Sequence, residues 1–311
     1  MASRISWFAT ENGRKFSFYG VSFLGLAAFS AKFLPNTYLL EQYQNMVQMY
    51  SLGEGLRVPS KVTDRFEQVL VDMQIKGDHK ELFKLFTING FDLFCAGTVQ
   101  ARTGSIIGIP KSYSYDTNED VEKDVIQVNL KRVPWETPAG ATLQESIIMS
   151  PQAQKYGFAC QIFMSRSWLV YLGYFYPIVA VAFAYSVSYH CNRRLQLFSR
   201  KVGVRGTFYA VISLFSFGLW ALATDLTTTT CESKADKNAC DLGPDYIKGG
   251  VEFYSKILNR NIALRELLGN QGKKIFTALG NEQTLIRQKH LPITVRKSYT
   301  EKRLKELSTS G

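Results

Sequence analysis

Residues 167–224 read SWLVYLGYFYPIVAVAFAYSVSYHCNRRLQLFSRKVGVRGTFYAVISLFSFGLWALAT. Ser167 to Asn192 is 26 residues without Asp, Glu, Lys or Arg, and Gly206 to Thr224 is a second uncharged run of 19. At 1.5 Å per residue these give roughly 39 and 28 Å of helix, against a hydrocarbon core of about 30 Å. A buried hairpin of a soluble protein keeps a polar stripe, whereas Leu169, Tyr171, Leu172, Phe175, Ile178, Val181 and Phe183 point in every direction around the first run. The pattern predicts a membrane protein built on a transmembrane helical hairpin, with spans at 167–190 and 207–224. The loop between them, 191–206, carries Arg193, Arg194, Arg200, Lys201 and Arg205 and no acid. Such a loop stays on the cytoplasmic or matrix side because translocating cations is the costly direction, so these five residues set the expected topology.

Working toward the N-terminus, residues 1–15 form a basic segment with Arg4, Arg14 and Lys15, followed by an uncharged run from Phe16 to Ala31 that Lys32 closes. A snorkelling Lys32 lets Phe33 and Leu34 extend that run. A secretory signal, with Ala28-Phe29-Ser30 as the cleavage site, and a mitochondrial presequence both share part of this layout. The absence of any Asn-x-Ser/Thr acceptor and the five cysteines, an odd number without framework spacing, argue against secretion. A retained span over 16–34 accounts for both the basic flank and the apolar run. The N-terminus and the basic loop are then expected inside, and 35–165 and 225–311 outside. Charge agrees: 35–165 holds 12 basic and 15 acidic residues, and 225–244 holds Asp225, Glu232, Asp236 and Asp241 against Lys234 and Lys237. The net charge of +11 is thus concentrated in the N-terminus, the loop and the C-terminal tail. No basic stripe with interleaved aromatics accompanies it, so the lipid bilayer and not nucleic acid is the expected partner.

Residues 35–165 read as a small α+β domain. Val62, Phe66, Val69, Leu70 and Met73 recur at helical spacing after Pro59-Ser60, with Ser60 as cap and Gly77-Asp78 as stop. Strands are expected over 82–88, 91–99, 105–109 and 125–133, the last with strict alternation. Pro138-Ala139-Gly140 reads as a break, and Ser150-Pro151 as the capped start of a helix running to the span. The 225–311 region reads as mainly helical, with an apolar face from Tyr246 to Leu268 and Gly269 just past its end.

The chemistry in reach is sparse. His79, His190 and His290 are far apart and outside metal-ligand spacing. Gly269-Asn270-Gln271-Gly272-Lys273-Lys274 lacks the first glycine and the hydroxyl residue of a phosphate loop, so no cofactor is expected. Cys231 and Cys240, nine positions apart, are either a disulfide closing a small loop or two free thiols. Spans free of ionisable groups do not suit a transporter. Gly173, Pro177, Ala180, Ala184 and Ser188 share one face of the first hairpin helix and allow a neighbouring backbone to approach, either within the hairpin or from a partner helix.

The strings Gly249-Gly250-Val251-Glu252-Phe253-Tyr254, Asn261 to Gly269, Lys289-His290-Leu291-Pro292 and Arg296 resemble the transmembrane protein 177 family of the mitochondrial inner membrane. Gly108-Ile109-Pro110, Pro138-Ala139-Gly140-Ala141 and Ser150 with Ala153-Gln154-Lys155 extend the resemblance over most of the chain. It implies a multi-pass inner-membrane location and a non-enzymatic role in cytochrome c oxidase biogenesis, stabilising subunit 2 together with its membrane chaperone. Glu252 and Arg265, on the charged edge of the 249–269 helix, are the partner-docking candidates. The competing reading is a membrane-bound enzyme with its site in 35–165. A cleft with convergent titratable groups favours the enzyme, and an apolar exposed face favours the scaffold.

Overall fold

The computed structural model describes residues 7–284 and 286–310; Arg4 of the basic N-terminal segment lies outside them. Helix α1 (Glu11–Phe33) opens on Thr10, whose side chain accepts from the Gly13 N–H, so it starts five residues before the expected span and carries Arg14 and Lys15 in its first turns. After α2 (Leu40–Val47) and a short hairpin, β1 (Tyr50–Ser51) and β2 (Glu54–Gly55), comes α3 (Ser60–Asp72). Val62, Phe66, Val69 and Leu70 are buried as expected, but Ser60 is the first helical residue and Pro59 holds the cap position without a side-chain bond. Helix α4 (Gly77–Lys80) leads into β3 (Phe83–Ile88), β4 (Phe94–Thr98) and β5 (Gly104–Pro110), ordered β3-β5-β4, with β5 parallel to β3 and antiparallel to β4.

Two expectations in this region fail for local reasons. The strand over 125–133 is instead a tight hairpin, β6 (Gln127–Val128) and β7 (Lys131–Arg132), because Asn129 and Leu130 both take positive φ and reverse the chain. Pro138 does not break the chain but starts α5 (Pro138–Ile147), with Thr137 accepting from the Gly140 N–H and proline in the first turn, where its missing N–H costs nothing. Ser150 caps α6 (Pro151–Ser165) in the same way.

Helix α6 is the hub. Ala153, Tyr156, Phe158, Ala159 and Ile162 are fully buried and lie all around it, so 35–165 alone cannot cover it. The rest of the cover comes from the chain beyond the spans. α3 supplies Val62, Phe66 and Val69, while α9 (Val202–Cys240) supplies Ala235 and Ala239 and α10 (Pro244–Leu267) supplies Phe253, Tyr254 and Ile257, all in one core. The two outer regions expected as separate units are therefore one α+β domain.

Among the described residues three helices are long and apolar enough to cross a membrane: α1, the run Trp168–Arg194, and Val202–Cys240. The second is α7 (Trp168–Leu172), a 3₁₀ turn over Gly173–Phe175, and α8 (Tyr176–Arg194); Pro177, which has no N–H to give, sits in the first turn of α8 at that change of pitch. The third, α9 (Val202–Cys240), does not stop at Thr224 but runs 16 residues further, ending before Gly243 and Pro244. That extension adds roughly 24 Å of helix beyond the expected span. α8 packs against both α1 and α9. Gly25 of α1 lies against Val181 and Ile178, Phe183 meets Phe215, and Tyr176 bonds Thr227. Helices α11 (Asn270–Ile275) and α12 (Ile293–Ser310) complete the chain.

Candidate functional site at the membrane junction

The extension of α9 carries Asp225, Glu232, Asp236 and Asp241, and each acid holds a cation of the C-terminal segment. Arg287 forks onto Asp225, with nitrogen to oxygen distances of 2.7 and 2.9 Å. His290 Nδ1 lies 2.7 Å from Glu232, whose other oxygen accepts from the Leu291 N–H. Arg296 donates through Nε and Nη2, both at 2.7 Å, to Asp236, and Arg303 donates to Asp241. Asp225, Glu232 and Asp236 are seven and four positions apart, which puts them on one helix face. The sequence counted these acids as a topology signal; the missed signal was that spacing, hidden by ending the span at Thr224.

Asp236 is the centre of this arrangement at 2 % exposure. Besides Arg296 it accepts from Tyr156 at 3.1 Å and from the Tyr254 hydroxyl, and the Cys160 thiol points at it from 3.5 Å. The Arg296 guanidinium also lies 4.9 Å from the Tyr254 ring centroid. Burial, with Asp236 adding to it, raises the Cys160 thiol well above its ordinary range and pushes Cys240 up to about 12. Both thiols therefore stay protonated and are poor nucleophiles.

Beside this network a cleft of about 890 Å³ opens between the outer domain and the domain-side ends of the spans. Lys32, Gly173, Tyr174, Thr228, Glu232 and His290 are among its walls, and Lys32 Nζ donates to the Gly173 carbonyl at 3.1 Å. Chemically, the cleft presents an imidazole held by a buried carboxylate. The Glu232 hydrogen bond raises the His290 pKa despite partial burial. The sign follows directly: a folded-state pKa above the unfolded value of about 6.5 stabilises fully below 6.5, and that stabilisation is lost as pH rises through the raised value. The melting temperature in detergent is accordingly expected to fall between pH 6 and 8.5. His290→Gln should flatten that interval, and an unchanged slope in the variant would remove His290 as its source.

The remaining sequence candidates fall in three places. Pro177, Ala180, Ala184 and Ser188 line a groove among the three spans, while Gly173 lies at the junction cleft. Arg193 and Arg205 stand against the Tyr189 and Phe198 rings at the basic-loop end, and Arg194, Arg200 and Lys201 are exposed there. The docking candidates are not free. Glu252 accepts from the Ser150 N–H and hydroxyl, steadying the cap of α6, and Arg265 Nε donates to the Phe276 carbonyl. Both are thus tied into the fold while remaining half-buried. The disulfide is also overturned. Cys231 and Cys240 are free thiols on one continuous helix, about 13.5 Å apart along its axis, whereas a bridge needs Cα atoms within about 7 Å.

Three spans fused to one outer α+β domain define a multi-pass membrane protein whose soluble part is mounted on a span. Comparison with known proteins gives this class a family. The family model described as Transmembrane protein 177 matches residues 70–298. The chain is 31 % identical to Transmembrane protein 177 of Homo sapiens over 256 residues, covering 82 % of this chain and 81 % of that protein. It is 30 % identical to the Rattus norvegicus protein over the same shares, and 30 % identical to that of Danio rerio over 86 % and 87 %. The chain belongs to the transmembrane protein 177 family. No solved structure matches it. Of the strings that carried the resemblance, Gly249 and Gly250 lie where α10 meets the start of α6, Asn261 donates to the Gly280 carbonyl, and His290, Leu291 and Arg296 lie on the acids of α9 at the junction.

Proposed function

We propose that the protein is a non-enzymatic, membrane-anchored assembly and stabilising factor for cytochrome c oxidase biogenesis, acting on subunit 2 and its membrane chaperone in the mitochondrial inner membrane. The observation that supports this reading most is the continuity of α9, which crosses the bilayer and then forms a wall of the outer domain. One helix thus joins a span to the domain, an arrangement suited to holding a client's membrane and soluble parts in register. The junction cleft does gather titratable groups, the feature expected of an enzyme, but what those groups are engaged in supports the scaffold. Glu232, Asp236 and Arg296 are occupied in joining helices, and they lie at the junction instead of in 35–165. In this arrangement the N-terminus and the basic loop face the matrix, and the domain faces the other side. Affinity purification from gently solubilised mitochondrial membranes is expected to recover subunit 2 with its chaperone, and depletion of the protein to lower newly made subunit 2. Recovery of neither, with subunit 2 at its normal level after depletion, would sink the proposal.

A further inference from the structure

On the basic-loop half of the spans, a cavity of about 850 Å³ opens among α1, α8 and α9, within the range of small-ligand pockets, roughly 300–1,000 Å³. Away from the basic loop its wall is mainly apolar, with the small side chains of Ala180 and Ala184 of α8 leaving it open. Its mouth is different. Arg14 of α1, Arg193 of α8 and Arg205 of α9 all line it, one from each span, and none makes an ion pair with a carboxylate among the described residues. Between them sits Asn192, a residue only 9 % exposed. Its Nδ2 donates to the Tyr209 hydroxyl at 2.6 Å, which leaves Oδ1 buried at the cavity without a donor. A buried acceptor without a partner is costly, more so where no water competes for it.

We propose that this cavity is a binding site for one anionic phospholipid, with the phosphate among Arg14, Arg193 and Arg205, a headgroup hydroxyl donating to Asn192 Oδ1, and acyl chain lying over Ala180 and Ala184. Charge complementarity decides the occupant. The cations converge at one end, at the level of the basic loop, and the rest of the cavity is mainly apolar, interrupted by Ser17, Ser188, Ser213 and Ser216, which is broadly the polarity of a lipid along its length. A partner helix packing on the small residues of α8 would gain nothing from three guanidinium groups gathered at one end. The site also gives the unpaired cations of the loop a purpose beyond orientation.

Native mass spectrometry of the full chain in detergent, titrated separately with phosphatidylglycerol and phosphatidylcholine, tests this. One phosphatidylglycerol per chain is expected, held at least tenfold more strongly than phosphatidylcholine. Arg193→Gln with Arg205→Gln should lose that preference, while Arg200→Gln, in the same loop but outside the cavity, should keep it. Ala184→Leu, which fills the cavity and leaves every cation in place, should also lose the bound lipid; melting curves without added lipid check that each variant is folded. Equal retention of both lipids would overturn the proposal. So would a folded Ala184→Leu variant that still holds phosphatidylglycerol, since binding would then be surface electrostatics, or a membrane protein recovered at one per chain in place of lipid.

Discussion

Arg296→Gln is expected to destabilise the outer domain strongly and lower the protein's steady-state level several-fold. The substitution leaves Asp236 at 2 % exposure with two tyrosine hydroxyls and no counter-charge. Removing one partner of a buried ion pair costs about 3–5 kcal/mol, because the other charge stays desolvated. Against a typical total stability of about 5–15 kcal/mol, that is enough to expose α12 and the core it covers. Lys297→Ala, one residue on and paired with Glu301 at 3.6 Å on the surface, should cost less than about 1 kcal/mol. The checks are steady-state level and limited proteolysis of both variants. An Arg296→Gln protein as abundant and protease-resistant as Lys297→Ala would show that Asp236 does not need its counter-charge.

Gly249→Val should have the next largest effect, at the crossing of α10 and α6. A Cβ at Gly249 would collide with the Gln152 carbonyl oxygen, and one at Gly250 would stand 2.7 Å from the Tyr156 ring. The first obstacle is backbone in the opening turn of a buried helix and cannot rotate away. Overpacking of this kind costs about 1–3 kcal/mol when neighbours can shift. Here the shift also pulls Glu252 off the Ser150 cap one turn along, so the upper end of the range or more is expected. Gly218→Ala is the matched control: its Cβ meets nothing within 4 Å inside α9, and it should be neutral or slightly stabilising. Thermal unfolding of the two variants in one detergent measures the difference. Equal melting temperatures would mean that α10 can move away from α6 at little cost.

The sequence by itself determined what rests on neighbours along the chain. Run length against bilayer thickness set the three spans, the 3.6-residue period set the buried face of α3, and Ser150-Pro151 and Gly269 marked helix ends through backbone groups a few residues away. The family strings were legible in the same way. Tertiary structure alone decided what those residues are for. Pro138 reads equally well as a break or a start until Thr137 is seen to cap it, and the alternation over 125–133 suits a strand until two positive φ angles fold it into a hairpin. The charges of Glu252 and Arg265 look free on a helical wheel and are spent on Ser150 and Phe276. The four acids of 225–241 register as a net charge in the sequence, yet their partners lie 58 to 62 residues further on. Burial and long-range pairing turn a solvated charge into the joint that fixes the outer domain to a membrane span; local spacing shows only that the acids share a helix face, not what they meet.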